Sequence, residues 1–101
     1  MLKLKPPKPP TEKEITKEIR KFLAFKQIFC WKVWQGLGST KGVADIIGCF
    51  RGRFLAIEVK NQKGKLSEYQ EAFLENVRRS GGIGFVARSV HDVIENLKLY
   101  W

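Results

Sequence analysis

Histidine is nearly absent from this sequence: His91 stands alone in 101 residues. A Ser-His-Asp triad or a histidine-rich zinc site therefore has little to be built from. Cysteine is scarce too. Cys30 and Cys49 form no CxxC pair, which argues against a zinc knuckle or a redox dithiol. Both lie in apolar, β-prone runs, so buried free thiols in a reducing compartment are expected rather than a disulfide. No apolar run approaches the ~18 residues of a membrane span. The Lys/Pro-rich start lacks the apolar stretch of a secretory signal. The expectation is an intracellular protein, cytoplasmic or nucleoid-associated, with no membrane attachment. Acidic residues are outnumbered, ten Asp and Glu against nineteen Lys and Arg, for a net charge of +9. That imbalance favours a polyanionic partner, with nucleic acid ahead of an anionic membrane surface. A basic protein that is merely soluble is the plain alternative.

Length allows one domain and not two. Proline is confined to residues 1–10, MLKLKPPKPP, where four prolines and three lysines predict a flexible arm. The remainder, 11–101, reads as a single domain. Thr11-Glu12-Lys13-Glu14 fits a capping box, and Ile15, Ile19, Phe22 and Leu23 repeat at helical spacing. That helix should fade near Lys26. Residues 29–34, FCWKVW, predict a strand, with Trp31 and Trp34 facing the core or a subunit contact. Residues 35–42, QGLGSTKG, hold three glycines and predict a loop. ADIIGCF and RFLAIEVK predict strands either side of an Arg51-Gly52 turn. Ser67-Glu68-Tyr69-Gln70 is a second capping box, and Gly81-Gly82 closes its helix. IGFVAR predicts a strand, and Ser89 caps a last helix. The order is α-β-β-β-α-β-α. The fold class is α/β, a mixed β-sheet of about four strands flanked by helices.

Chemistry is concentrated between Gly42 and Lys60. Side chains alternate along a strand, so Ala56, Glu58 and Lys60 share one face and Leu55, Ile57 and Val59 the other. If Arg51-Gly52 is a two-residue turn, Phe50 faces Arg53. Stepping outward one residue at a time brings Asp45 opposite Glu58, with Cβ atoms ~5 Å apart. Opposed like charges destabilise a sheet, so something must offset them. A divalent cation does so, and two carboxylates with a backbone carbonyl and waters suit Mg²⁺ or Mn²⁺. Lys60 could orient a water or balance a phosphate. The alternative is an exposed Glu58–Lys60 salt pair with Asp45 capping a strand. Charges set in the core-like runs AIEV and ADII weigh against it.

The linked set G-x-x-D-I-I-G, x-A-I-E-V-K, K-L-S-x-x-Q and G-x-x-F-V-A-R-S resembles the VRR-NUC family. That family is a branch of the PD-(D/E)xK, restriction endonuclease-like, nucleases. The resemblance is dense over Gly42–Ser89 and extends to Thr11–Trp101. It implies a stand-alone nuclease domain. Asp45 and Glu58 would be metal ligands with the Val59 backbone carbonyl, and Lys60 the catalytic lysine. The cofactor would be Mg²⁺, with Mn²⁺ able to substitute. One departure is Ala44, where the family commonly has proline; proline there only stiffens the strand entry. The family also carries an acid on its first helix, and Glu12, Glu14 and Glu18 compete for that role. Helical geometry sets Glu12 at ~35° from the centre of the apolar stripe, Glu18 at ~85° and Glu14 at ~125°. Glu12 is favoured, with Glu18 in reserve. Gln70 matches the family's glutamine, and it also fills the N3 position of a capping box.

Ser39 and Lys41, in the glycine-rich loop, could hold a phosphate, and Lys63 and Lys65 could grip a DNA backbone. Arg78, Arg79 and Arg88 read as solvated surface. The function implied is hydrolysis of DNA phosphodiesters to a 3′-hydroxyl and a 5′-phosphate. Stand-alone relatives act as homodimers on branched DNA such as Holliday junctions, and that expectation carries over here. The competing reading is a non-catalytic DNA-binding module on a nuclease fold.

Overall fold

A computed structural model describes residues 7–34 and 40–101 of the chain. The expected arm falls mainly outside the described residues; Pro7–Pro10 carry no regular element and are exposed. Helix α1 spans Glu12–Phe25. It starts where expected, because the Glu14 amide donates to the Thr11 hydroxyl at 3.1 Å and the Thr11 amide donates back to Glu14 at 3.2 Å. Its inner face buries Ile15, Ile19 and Leu23. Ile19 and Leu23 are fully covered, each worth roughly 1.5–3 kcal/mol.

Four strands follow the expected order: β1 Cys30–Lys32, β2 Ile46–Phe50, β3 Arg53–Val59 and β4 Ile83–Ala87. They lie side by side as β1-β2-β3-β4. The first two pairings are antiparallel and β3–β4 is parallel. The parallel pair needs a crossover, and helix α2, Glu68–Arg79, supplies it. Helix α3, Val90–Leu97, and a single 3₁₀ turn, Lys98–Tyr100, complete the chain.

The Arg51-Gly52 turn sets the register. Both residues adopt positive φ, 51° and 79°, the conformation of a two-residue type I′ hairpin loop. Phe50 then faces Arg53, and the ladder runs outward to Ile46 opposite Ile57. It stops there, so β2 begins at Ile46 and not at Ala44. Asp45 lies just outside the strand, although its carbonyl still accepts the Val33 amide at 2.8 Å.

Alternation along the strands builds two apolar layers. Ile46, Leu55, Ile57, Val59 and Phe85 pack against α1 and α3. Ile47, Ala56, Leu74 and Val77 form the layer beneath α2. Edge strand β1 departs most from expectation. It is three residues long, Trp31 is 46% exposed and Trp34 93% exposed. The tryptophans therefore do not face the core: Trp31 lies on a short edge strand and Trp34 just beyond its end. Cys49 is also exposed, and Cys30 is half-buried; both are free. Cys49 shares its face with Ile47 but sits opposite half-exposed Phe54 near the hairpin end. Among the described residues no helix is long and apolar enough to cross a membrane.

Candidate active site

The site forms where β3 ends, beside the start of β2 and the first turns of α1 and α2. Glu58 points to the α2 face of the sheet, and only 2% of it is exposed. Such burial removes the reading of Glu58 and Lys60 as an exposed strand salt pair. Asp45 comes from the loop entering β2, and its Oδ2 accepts the Val59 amide at 2.8 Å. A carboxylate thus takes the place of the ladder bond that an antiparallel neighbour would have made.

Gly42 lets that loop seat. Its φ is +76°, and a Cβ there would stand 2.1 Å from the Tyr69 carbonyl oxygen. Only glycine lets the segment before Asp45 lie against the first turn of α2. That turn carries Gln70, whose side chain serves two ends. Its Oε1 accepts the Ser67 amide at 2.9 Å, closing the capping box. Its Nε2 therefore faces the sheet and donates to Glu58 Oε1 at 3.0 Å. The cap and the site contact, alternatives in the sequence, coexist in one amide.

Lys60 Nζ stands 4.0 Å from Glu12 Oε1 and 4.0 Å from Glu58 Oε1. Glu12 is the α1 acid that reaches the site. Glu14 is engaged by the Thr11 cap, and Glu18 does not line the pocket. The pocket is a cleft of about 470 Å³. It brings together Asp45, Glu58, Val59, Lys60, Gln70 and Glu12, and adds Lys13, Thr16, Lys32, Val33 and Trp34. Lys13, Lys32 and Trp34 were not anticipated here. Lys13 adjoins Glu12 and a helix start, which was a usable signal; Lys32, in β1, and Trp34, just beyond it, offered none.

Among the described residues, the expected DNA contacts do not enter this cleft. Lys41 Nζ lies 4.9 Å from the Tyr69 ring centre. Lys63 sits near Pro9 and Pro10, and Lys65 sits beside Arg88. Ser39 lies outside the described residues. Arg88 and Arg78 are more than solvated surface. Arg88 donates to the carbonyls of Asn61 and Gly64, bracing the loop after β3. Arg78 donates to the Gly84 carbonyl at 2.7 Å.

The electrostatics of Glu58 decide what the site can hold. Burial pushes its pKa from 4.5 up to about 8, and the neighbouring Asp45 carboxylate pushes the same way. Lys60 pulls in the opposite direction and is outweighed. Glu58 Oε2 is buried with no hydrogen-bond partner. An unpartnered buried carboxylate oxygen beside a second acid is costly by itself and well suited to a cation. The Val59 amide points to the Asp45 edge, and in a strand the carbonyl of the same residue points to that edge too. Among the described residues no group of three or more His, Cys, Asp or Glu converges. The oxygens available at this point are two carboxylates and the Val59 carbonyl. Such a hard-oxygen set fits Mg²⁺ or Mn²⁺, which keep several waters.

The VRR-NUC domain profile matches residues 10–91. A solved structure described as a VRR_NUC domain protein superposes with a TM-score of 0.73 at 20% identity, covering 91% of this chain and 92% of its own. No curated protein matches the chain. The four-stranded mixed sheet with flanking helices is thus the restriction endonuclease-like architecture that the sequence motifs implied.

Proposed function

The chain belongs to the VRR-NUC family, a nuclease-type domain, and on that footing we propose that it is a metal-dependent DNA endonuclease. The observation that carries this reading is the buried, unpartnered Glu58 oxygen beside Asp45, with Lys60 4.0 Å from the same carboxyl group. A divalent cation would satisfy that arrangement with Glu58 ionised.

Asp45, Glu58 and the Val59 carbonyl would hold Mg²⁺, or Mn²⁺ in its place. The bound ion would supply Lewis-acid polarisation of the scissile phosphate and a lowered pKa for water. Lys60 then places a positive charge where negative charge develops in the phosphoryl transition state, and it orients the attacking water. Glu12, at 4.0 Å, restrains the ammonium, and Gln70 fixes the rotamer of Glu58. In-line attack leaves a 3′-hydroxyl and a 5′-phosphate. Lys41, Lys63 and Lys65 would contact the flanking backbone from outside the cleft, with Ser39 as a further proposed phosphate contact.

The substrate we favour is branched DNA, including four-way junctions. Two symmetric cuts need two active sites, and each chain provides one, so the working form would be a homodimer. The test is cleavage of a synthetic four-way junction against linear duplex of the same sequences with Mg²⁺. Preference for the junction is expected. Equal cutting of both ends the branched-DNA reading and leaves the nuclease. No cutting of either, with Mg²⁺ or Mn²⁺, ends the nuclease reading.

A further inference from the structure

A second hollow, of about 590 Å³, continues the catalytic cleft between α1 and β1. The two share Lys13, Thr16 and Lys32. Lys17, Arg20 and Lys21 follow Lys13 at helical spacing and extend one face of α1 along the hollow. Five cations line it and no carboxylate does. Among the described residues none of the five forms an ion pair, whereas the basic residues of α2 and the C-terminal turn, Arg78, Arg79 and Lys98, all pair with glutamates. The cations are solvent-exposed, and between them lie Ala24 and half-buried Ile28 and Cys30.

A charged rim over a less polar floor is the pattern that receives an unpaired strand: phosphates at the rim, sugars and bases on the floor. A duplex keeps its bases stacked inside and presents only phosphates and groove edges. In the wall of the catalytic cleft stands Trp34, 93% exposed and two residues beyond the shared Lys32, a face large enough for a base to stack on.

Building on the nuclease reading, we propose that the α1–β1 groove is a track for one unpaired DNA strand. Its phosphates contact Lys13, Lys17, Arg20, Lys21 and Lys32, and the strand enters the catalytic cleft past Trp34. Among branched substrates, one in which a strand leaves the branch point unpaired would engage this groove as well as the cleft.

The test is fluorescence anisotropy of a single-stranded oligonucleotide and of its duplex, in EDTA, across a salt series. Arg20→Ala/Lys21→Ala is expected to weaken single-strand binding about tenfold or more. It should also lower the log–log salt slope by roughly 1.4, at ~0.7 per lost phosphate contact. Trp34→Ala should weaken it by roughly tenfold, from ~1–3 kcal/mol per stacked base. Arg79→Ala/Lys98→Ala, with the same charge change away from the groove, should move binding less than twofold. Circular dichroism melts verify that each variant folds. With Mg²⁺, the groove variants should lose performance through KM. Groove variants that bind like the Arg79/Lys98 control overturn the track, whatever the enzyme cuts. If wild type cuts no DNA but the groove variants still lose single-strand binding, the track stands and the nuclease reading falls.

Discussion

Replacing Glu58 with glutamine should stabilise the metal-free protein at alkaline pH while destroying its activity. In the folded chain Glu58 holds its proton up to about pH 8, whereas an unburied glutamate releases it near 4.5. Between those values unfolding releases a proton, so stability falls as pH rises. The contribution is complete below pH 4.5 and gone above pH 8. At 1.36 kcal/mol per pH unit the interval is worth at most ~5 kcal/mol. Solvent screening and local relaxation around Glu58 reduce that ceiling to roughly 2–4 kcal/mol for the substitution to recover. Glutamine keeps the shape of the side chain. Its carbonyl can still accept from Gln70 Nε2, and its amide can donate to Asp45. The assay is urea unfolding of both proteins in EDTA from pH 5 to pH 9. The stabilities should nearly coincide at pH 5 and diverge by roughly 2–4 kcal/mol in favour of Glu58→Gln at pH 9. Mg²⁺ should then raise the melting temperature of wild type and not of the variant. Parallel curves over the whole range would mean that Glu58 is not a strained buried acid, and the argument for a cation would go with it.

Other perturbations follow from the same geometry. Asp45→Ala and Lys60→Ala should each reduce DNA cleavage by about a thousandfold or more, with oligonucleotide binding retained; loss of binding in parallel with cutting would contradict their catalytic placement. Gln70→Ala removes both the Ser67 cap and the Glu58 contact and should cost ~1–2 kcal/mol in chemical denaturation. Gln70→Glu keeps the cap but adds an acid beside Glu58, so it should lower stability more at pH 8 than at pH 5. Gly42→Ala places a Cβ 2.1 Å from the Tyr69 carbonyl at positive φ and should cost more than ~2 kcal/mol, or displace the loop that carries Asp45. Arg51→Asn, at φ 51° in the type I′ turn, should stabilise the fold by ~0.5–1 kcal/mol without touching activity.

Sequence by itself determined the order of elements and the pairing of the central hairpin. A two-residue turn and period-two alternation are local facts, and they sufficed to bring Asp45 beside Glu58, although the ladder ends at Ile46–Ile57 and Asp45 joins through its side chain. Both capping boxes were legible for the same reason, since each is closed within four residues. The tertiary structure decided what depends on how distant segments lie on one another. It buried Glu58 beneath α2 and brought Glu12 to Lys60. It left β1 at the sheet edge with Trp31 half-exposed and Trp34, just past the strand, outward, and it opened a cation-lined groove beside α1. A helix's apolar stripe says which face turns inward but not where along a sheet that helix will lie. Charge and exposure at the site follow from that placement, which only the packing of the whole chain sets.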